Sequence, residues 1–227
     1  MTSALKPIIS NLGFDTTNYT YLTAPSGVPS INNEADALIS ADACLPSILP
    51  YLQTHDAVLI CCYSSHPLVP LLRSQLATTP FRTRFVAGIF ESSVSTCLSV
   101  LSNNAKFAIV STGSQWEGIL DAAVADLLGA EGSGRYAGTA TTGLNADELH
   151  VTPKTEVDAR MKAATRVVLE RGAKAICLGC AGMVGLDDVV REACVEVLGP
   201  GEGGRVRIVD GVAAGVAVLE GLLGTGL

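Results

Sequence analysis

The chain repeats itself, and that repeat narrows the folds open to it more than any other feature. Shifted so that Cys62 falls on Cys180, an offset of 118 positions, the stretch Asp56-Ala-Val-Leu-Ile-Cys-Cys62 lies over Lys174-Ala-Ile-Cys-Leu-Gly-Cys180. Ala57 then meets Ala175, Leu68 meets Leu186 and Arg73 meets Arg191. Each cysteine closes an apolar run of strand type, and a small polar turn and a helix-like stretch follow. Strand–turn–helix units in series build parallel sheets covered by helices. The expected fold class is therefore α/β, with two pseudo-symmetric parallel-sheet lobes and a cleft between them.

In the second half the order is legible. Strands are expected at Lys106–Ser111, Arg135–Ala140, Lys174–Gly179 and Arg205–Asp210, and helices at Gln115–Leu128, Pro153–Arg171 and Asp187–Leu198. Pro153 near the start and Gly172 just past the end give the long helix Pro153–Arg171 its boundaries. The first half predicts helix over Ser3–Leu12, strand over Asn18–Leu22, helix over Asn33–Gln53, strand over Ala57–Cys61, helix over Pro67–Leu76 and strand over Arg84–Ile89. Lys106–Ser111 carried back by 118 positions falls before residue 1, so the first lobe is expected to lack its opening strand.

The first lobe is expected to comprise residues 1–91 with 211–227, and the second residues 92–210. Gly88–Ser93, leading into a helix near Val94–Leu101, and Val209–Gly211 would join them. Val212–Leu223 would return as a helix onto the first lobe, and Gly199–Gly204 reads as a surface turn.

Composition removes several classes of function. A net charge of −7 without a basic run argues against nucleic acid. No apolar stretch of about 18 residues is present, so no membrane span is expected. Met1-Thr-Ser-Ala-Leu-Lys-Pro lacks the basic and apolar segments of a secretory signal. Seven cysteines, an odd number scattered through 227 residues, suit a reducing, cytoplasmic setting better than a disulfide scaffold.

The cysteines carry the chemistry. Ligands bind beyond the carboxyl ends of parallel strands, where Cys62 and Cys180 are expected. One thiol from each lobe would flank a single carbon, one removing its proton as thiolate and the other returning a proton to the opposite face. The helices starting near Pro67 and Leu186 would direct partial positive charge at both sulfurs, and the two thiols would titrate together. Cysteine is also a common buried residue, and Cys61 and Cys177 read as core. Cys44, Cys97 and Cys194 fall on helices. Cys177-x-x-Cys180 matches a redox or zinc half-motif, but it ends a strand rather than opening a helix. No metal site is expected from this spacing.

Ser64-Ser65-His66, Ser111-Thr112-Gly113-Ser114 and Thr141-Thr142-Gly143-Leu144 could line the same cleft and hold an enolate oxygen. Ordinary turn and cap chemistry favours the same residues. His66 could tune Cys62 or sit at a surface helix start, and Glu91 could be a cleft carboxylate or a hinge residue.

Five segments also carry a resemblance that spans nearly the whole chain. Cys61-Cys62-Tyr63-Ser64-Ser65-His66-Pro67-Leu68, Gly88-Ile89-Phe90-Glu91-Ser92-Ser93, Thr142-Gly143-Leu144, Leu178-Gly179-Cys180-Ala181-Gly182-Met183 and Val209-Asp210-Gly211 resemble the aspartate/glutamate racemase superfamily, nearest its hydantoin and allantoin racemases. The resemblance implies a cofactor-independent racemase, usually oligomeric, with Cys62 and Cys180 as its acid/base pair. Tyr63, Ser64, Thr112, Gly113, Thr142, Gly143, Ala181 and Gly182 would then line the substrate. Members of the family open with a strand and an Asn-Pro-Asn-Ser type loop, and Met1-Thr-Ser-Ala-Leu aligns just after that loop. The expectation is that the recorded start is an internal methionine. A hydantoin-like ring, allantoin included, is the expected substrate, because the cleft motifs hold no strongly basic residue for a dicarboxylate. A one-cysteine decarboxylase or other isomerase on this scaffold, and a non-catalytic binding protein, are the alternatives.

Overall fold

The computed structural model describes residues 5–129, 134–183 and 185–225. Strand and helix alternate along the chain: α1 (Leu5–Ser10), α2 (Glu34–Ile48), β1 (Ala57–Ile60), α3 (Leu68–Thr78), β2 (Phe85–Gly88) and α4 (Ile89–Val100). Then come β3 (Lys106–Ser111), α5 (Trp116–Leu128), β4 (Tyr136–Thr141), α6 (Lys154–Glu170), β5 (Ala173–Leu178), α7 (Asp187–Gly203), β6 (Arg207–Asp210) and α8 (Gly211–Gly224). The fold is mixed α/β with two parallel sheets, one of four strands in the order β4-β3-β5-β6 and one of two, β1-β2.

The larger sheet is buried on both faces, as parallel sheets covered by helices are. Phe107 and Ile109 of β3, with Ala175 and Cys177 of β5, meet Val94 of α4, Leu120 of α5 and Val212 of α8. Ala108, Val110, Ile176 and Leu178 face the other way, onto Met161 and Val168 of α6 and Val190 of α7. The two-stranded sheet has a smaller core, with Ile60 and Val86 against Leu52, Leu68 and Leu72. In β1 only Ile60 is buried; Ala57, Val58 and Leu59 are half-buried.

Local chemistry sets most boundaries. Asn33 caps α2 by accepting the Asp36 N–H at 2.9 Å, and Asp210 caps α8 by accepting the Ala213 N–H at 2.8 Å. Gly172 ends α6 at φ +89°, a left-handed conformation that glycine adopts without strain. α8 packs against α1, α4, β1 and β2.

Several expectations need correction. Asn18–Leu22 forms no strand. Its counterpart in the second lobe is β4, which bonds only to β3, and among the described residues no strand occupies the corresponding place in the first lobe. Instead the Tyr19 hydroxyl donates to Glu220 at 2.8 Å, and Thr20 lies 2.9 Å from His55 Nε2. The helix expected near Val94 begins at Ile89, directly after β2, because Gly88 is the extended cap residue and no turn intervenes. Gly199–Gly204 is not simply a surface turn. Gly199 breaks α7 at φ +78°, helix resumes, and buried Gly203 accepts from Arg191 Nη1 at 2.6 Å. The helix expected over Asn33–Gln53 is α2 followed by a 3-10 segment, Leu49–Gln53. Of the helix expected over Ser3–Leu12, Ser3 and Ala4 lie outside the described residues.

Candidate active site

A groove of 810 Å³ runs along β1 and ends between the lobes, where Cys62 and Cys180 both line it. Each cysteine follows its strand by two residues, Cys62 after β1 and Cys180 after β5. The groove is therefore the common outlet of two carboxyl-terminal strand ends.

Among the described residues, each sulfur has one hydrogen-bonding neighbour. Cys62 Sγ lies 3.5 Å from Ser64 Oγ, and Cys180 Sγ accepts the Gly182 N–H at 3.3 Å. That N–H belongs to the 3-10 turn Ala181–Met183, so a local turn serves Cys180 where a helix start was expected. Burial pushes the Cys62 thiol up to about 11; the Ser64 hydrogen bond opposes the rise, while Cys180, Cys44 and Glu91 add to it. Burial also pushes Cys180 up, opposed by the Gly182 N–H. Desolvation thus outweighs the expected pull of the helix starts on both thiols.

The other expected site residues divide into two groups. Tyr63, Thr112 and Ala181 line the groove. The Tyr63 phenol, however, is held 2.8 Å from Ser93 Oγ in the core, with its ring edge-on to Phe90 at 5.7 Å. Ser64 is buried beside Cys62. Thr142 and Gly143 are tied to the loop after β3, the Thr142 N–H bonding the Ser111 carbonyl and the Gly143 N–H the Thr112 carbonyl, both at 3.0 Å. Gly143 makes that approach at φ +73°. Gly113 must be small, because a Cβ there would meet Gln115 Oε1 at 2.4 Å and Asn145 Oδ1 at 2.6 Å. Gln115 Nε2 in turn reaches Asn145 at 3.0 Å and, across the cleft, Asn32 at 3.4 Å. Gly113, Thr142, Gly143 and Gly182 support the wall of the site rather than forming its surface.

His66 is buried and lines the groove. Its Nδ1 accepts the Leu68 N–H at 3.2 Å, which places the ring hydrogen on Nε2 in the neutral form, and burial lowers its pKa. It is buried just before α3, not at the surface. Glu91 sits in the first turn of α4, with Oε2 buried and unbonded among the described residues, and burial raises its pKa. Cys177 Sγ pairs with Cys97 Sγ at 3.3 Å inside the core, so the Cys177-x-x-Cys180 spacing does not bring its two sulfurs to one site. Among the described residues no three His, Cys, Asp or Glu side chains converge as a metal site.

His150 was missed from the sequence. A Cβ at Gly182 would lie 3.4 Å from Cys180 Sγ and 3.7 Å from His150 Nε2, so the thiol and the imidazole both border Gly182. Thirty residues separate them, and no local pattern links them. Cys44 and Trp116 also line the groove, although both read as helix residues.

Comparison with known proteins places this geometry. The model of the Asp/Glu/hydantoin racemase family matches residues 1–219. The chain is 34% identical over 98% of its length to Schizosaccharomyces pombe "Uncharacterized protein C1F7.10", covering 87% of that protein. It is 27% identical over 83% of its length to Saccharomyces cerevisiae "Protein DCG1", covering 80% of that protein. The solved allantoin racemase of Pseudomonas fluorescens superposes over 100% of this chain and 88% of its own with a TM-score of 0.74 at 26% identity. The Klebsiella pneumoniae allantoin racemase shares the fold with a TM-score of 0.80 at 24% identity, over 100% of this chain and 83% of its own. No described helix is long and apolar enough to cross a membrane. Family and fold together support a racemase-type function, and the chain belongs to the Asp/Glu/hydantoin racemase family.

Proposed function

We propose that this protein racemises a hydantoin-type ring, allantoin or a 5-substituted hydantoin, without a cofactor, using Cys62 and Cys180 as paired acid and base. The observation that carries this reading is that two symmetry-related thiols line one groove between the lobes.

One cysteine, as thiolate, takes the proton from the stereogenic ring carbon. The C–H electron pair moves into the bond to the adjacent carbonyl carbon, and the carbonyl π pair shifts to its oxygen, giving an enolate. The opposing thiol then delivers its proton to the other face of the carbon, the carbonyl re-forms, and the two sulfurs exchange roles. A carbonyl and a nitrogen flank this carbon and acidify it, which suits a base of modest strength. Backbone N–H groups of the cleft loops would hold the enolate oxygen.

Burial has two effects on rate. With Cys62 near 11, only about one molecule in 10⁴ carries that thiolate at neutral pH. The thiolate that does form is a stronger base than an ordinary cysteine. Loss of optical rotation of each allantoin enantiomer, and of a small panel of 5-substituted hydantoins, tests the proposal. Cys62→Ser and Cys180→Ser should each slow racemisation by about 10²–10⁴, and in D₂O one variant should still exchange the ring proton of a single enantiomer. Dependence on only one cysteine, or no change in rotation with any of these rings, overturns it.

A further inference from the structure

Two cysteines outside the groove meet in the core. Cys97, near the end of α4, and Cys177, in β5, are fully buried, and their sulfurs lie 3.3 Å apart although 80 positions separate them in sequence. Neither thiol has a part in the proposed reaction. Packing alone does not ask for sulfur here. Under the internal repeat Cys177 falls on Leu59, so an apolar side chain without a thiol fills the matching place in β1.

The contact is polarised. The Cys97 thiol holds the Cys177 thiol below its ordinary value, helped by the Ser93 and Tyr63 hydroxyls and opposed by burial. The same contact, with burial, raises Cys97. Cys177 is thus the sulfur that ionises first, and Cys97 keeps the proton between them. A thiolate held beside a second thiol is the arrangement that oxidation converts to a disulfide. The Tyr63 phenol, 2.8 Å from Ser93 Oγ, closes the core at this point, and Tyr63 also lines the groove. Displacement of that ring would open a path from the groove to Cys177 for a molecule as small as a peroxide.

We infer that Cys97 and Cys177 form a reversible oxidation site, which hydrogen peroxide closes to a disulfide that braces α4 against β5. The Cys177 thiolate attacks one peroxide oxygen. The S–O bond forms and the O–O bond breaks, and the departing hydroxide takes up the proton that Cys177 gave, leaving a sulfenic acid and one water. Cys97 sulfur then attacks Cys177 sulfur. The S–S bond forms, the S–O bond breaks, and the second hydroxide leaves as water with the Cys97 proton. Two thiols lose two electrons in all, and one peroxide is reduced to two waters. The sulfurs need to close from 3.3 Å to about 2.05 Å.

The bond would join two elements that matter to the groove. α4 follows β2 directly and packs on α8, β5 and β6, and β5 ends two residues before Cys180. Oxidation would therefore tie the helix between the sheets to the strand that carries the second groove thiol. Closing so long a loop restricts the unfolded chain, so the oxidised protein should be the more stable form.

The test treats the full chain with hydrogen peroxide in slight excess, alkylates it in denaturant and maps its peptides without reduction. The main cross-link should join the peptide holding Cys97 to the peptide holding Cys177. The Tm should rise by about 5 °C or more and return with dithiothreitol. A chain carrying Cys62→Ser and Cys180→Ser should give the same cross-link, because neither groove thiol takes part. Four results each overturn the inference: both thiols still fully alkylated after treatment, sulfinic acid at either sulfur in place of the link, a main link between other cysteines, or a Tm that is unchanged or lower. No turnover is measured, so the result is independent of the proposed racemase activity.

Discussion

At the scale of single residues, the site turns on how much burial costs a thiolate. Cys62 and Cys180 are both raised by desolvation, and only one hydrogen bond opposes the rise at each sulfur. Activity should therefore climb about tenfold per pH unit above neutrality until the first of the two thiols has ionised. A kcat/KM profile that is flat between about pH 7 and 9 would contradict this assignment. Stability should run the other way. A thiol whose folded pKa is raised favours the native state fully below its unfolded value of about 8.5, and that contribution is lost as pH rises through about 11. Thermal denaturation should show a Tm that declines above about pH 9, and declines less in Cys62→Ala. Ser64→Ala removes the hydroxyl 3.5 Å from Cys62 Sγ and should slow alkylation of Cys62 by iodoacetamide at fixed pH. Unchanged alkylation would show that the Ser64 hydroxyl does not support the thiolate.

At the scale of elements, β3 fits closely against the end of β5. The Gly179 N–H donates to the Val110 carbonyl at 2.7 Å, and Ser111 Oγ donates to the Gly179 carbonyl at 2.7 Å. Gly179→Ala would force a methyl within 2.7 Å of Ile109, and urea denaturation should show a loss of about 1–3 kcal/mol. Two strands, β2 and β6, run straight into helices α4 and α8, which pack on each other between the sheets. That join holds the two carboxyl-terminal strand ends, and hence the two sulfurs, at one groove.

For the whole molecule, the two lobes are unequal. Among the described residues, the second has a four-stranded sheet with a core on each face, while the first has two short strands and a smaller core. Local opening follows contact density, so amides of β1 and β2 should exchange faster than those of β3 and β5 in the free chain. Equal protection across both sheets would contradict this reading.

The repeat alone determined the α/β class, the order of nearly all helices and strands, and the pairing of Cys62 with Cys180. These rest on local periodicity and on positions that the chain itself duplicates. Tertiary structure decided what depends on a neighbour distant in sequence. Asn18–Leu22 has the composition of a strand, yet forms none, because a strand exists only by bonding to another. The Tyr63 hydroxyl on Ser93, the Cys97–Cys177 contact and the position of His150 beside Gly182 likewise follow from packing between elements, which no single stretch of sequence encodes.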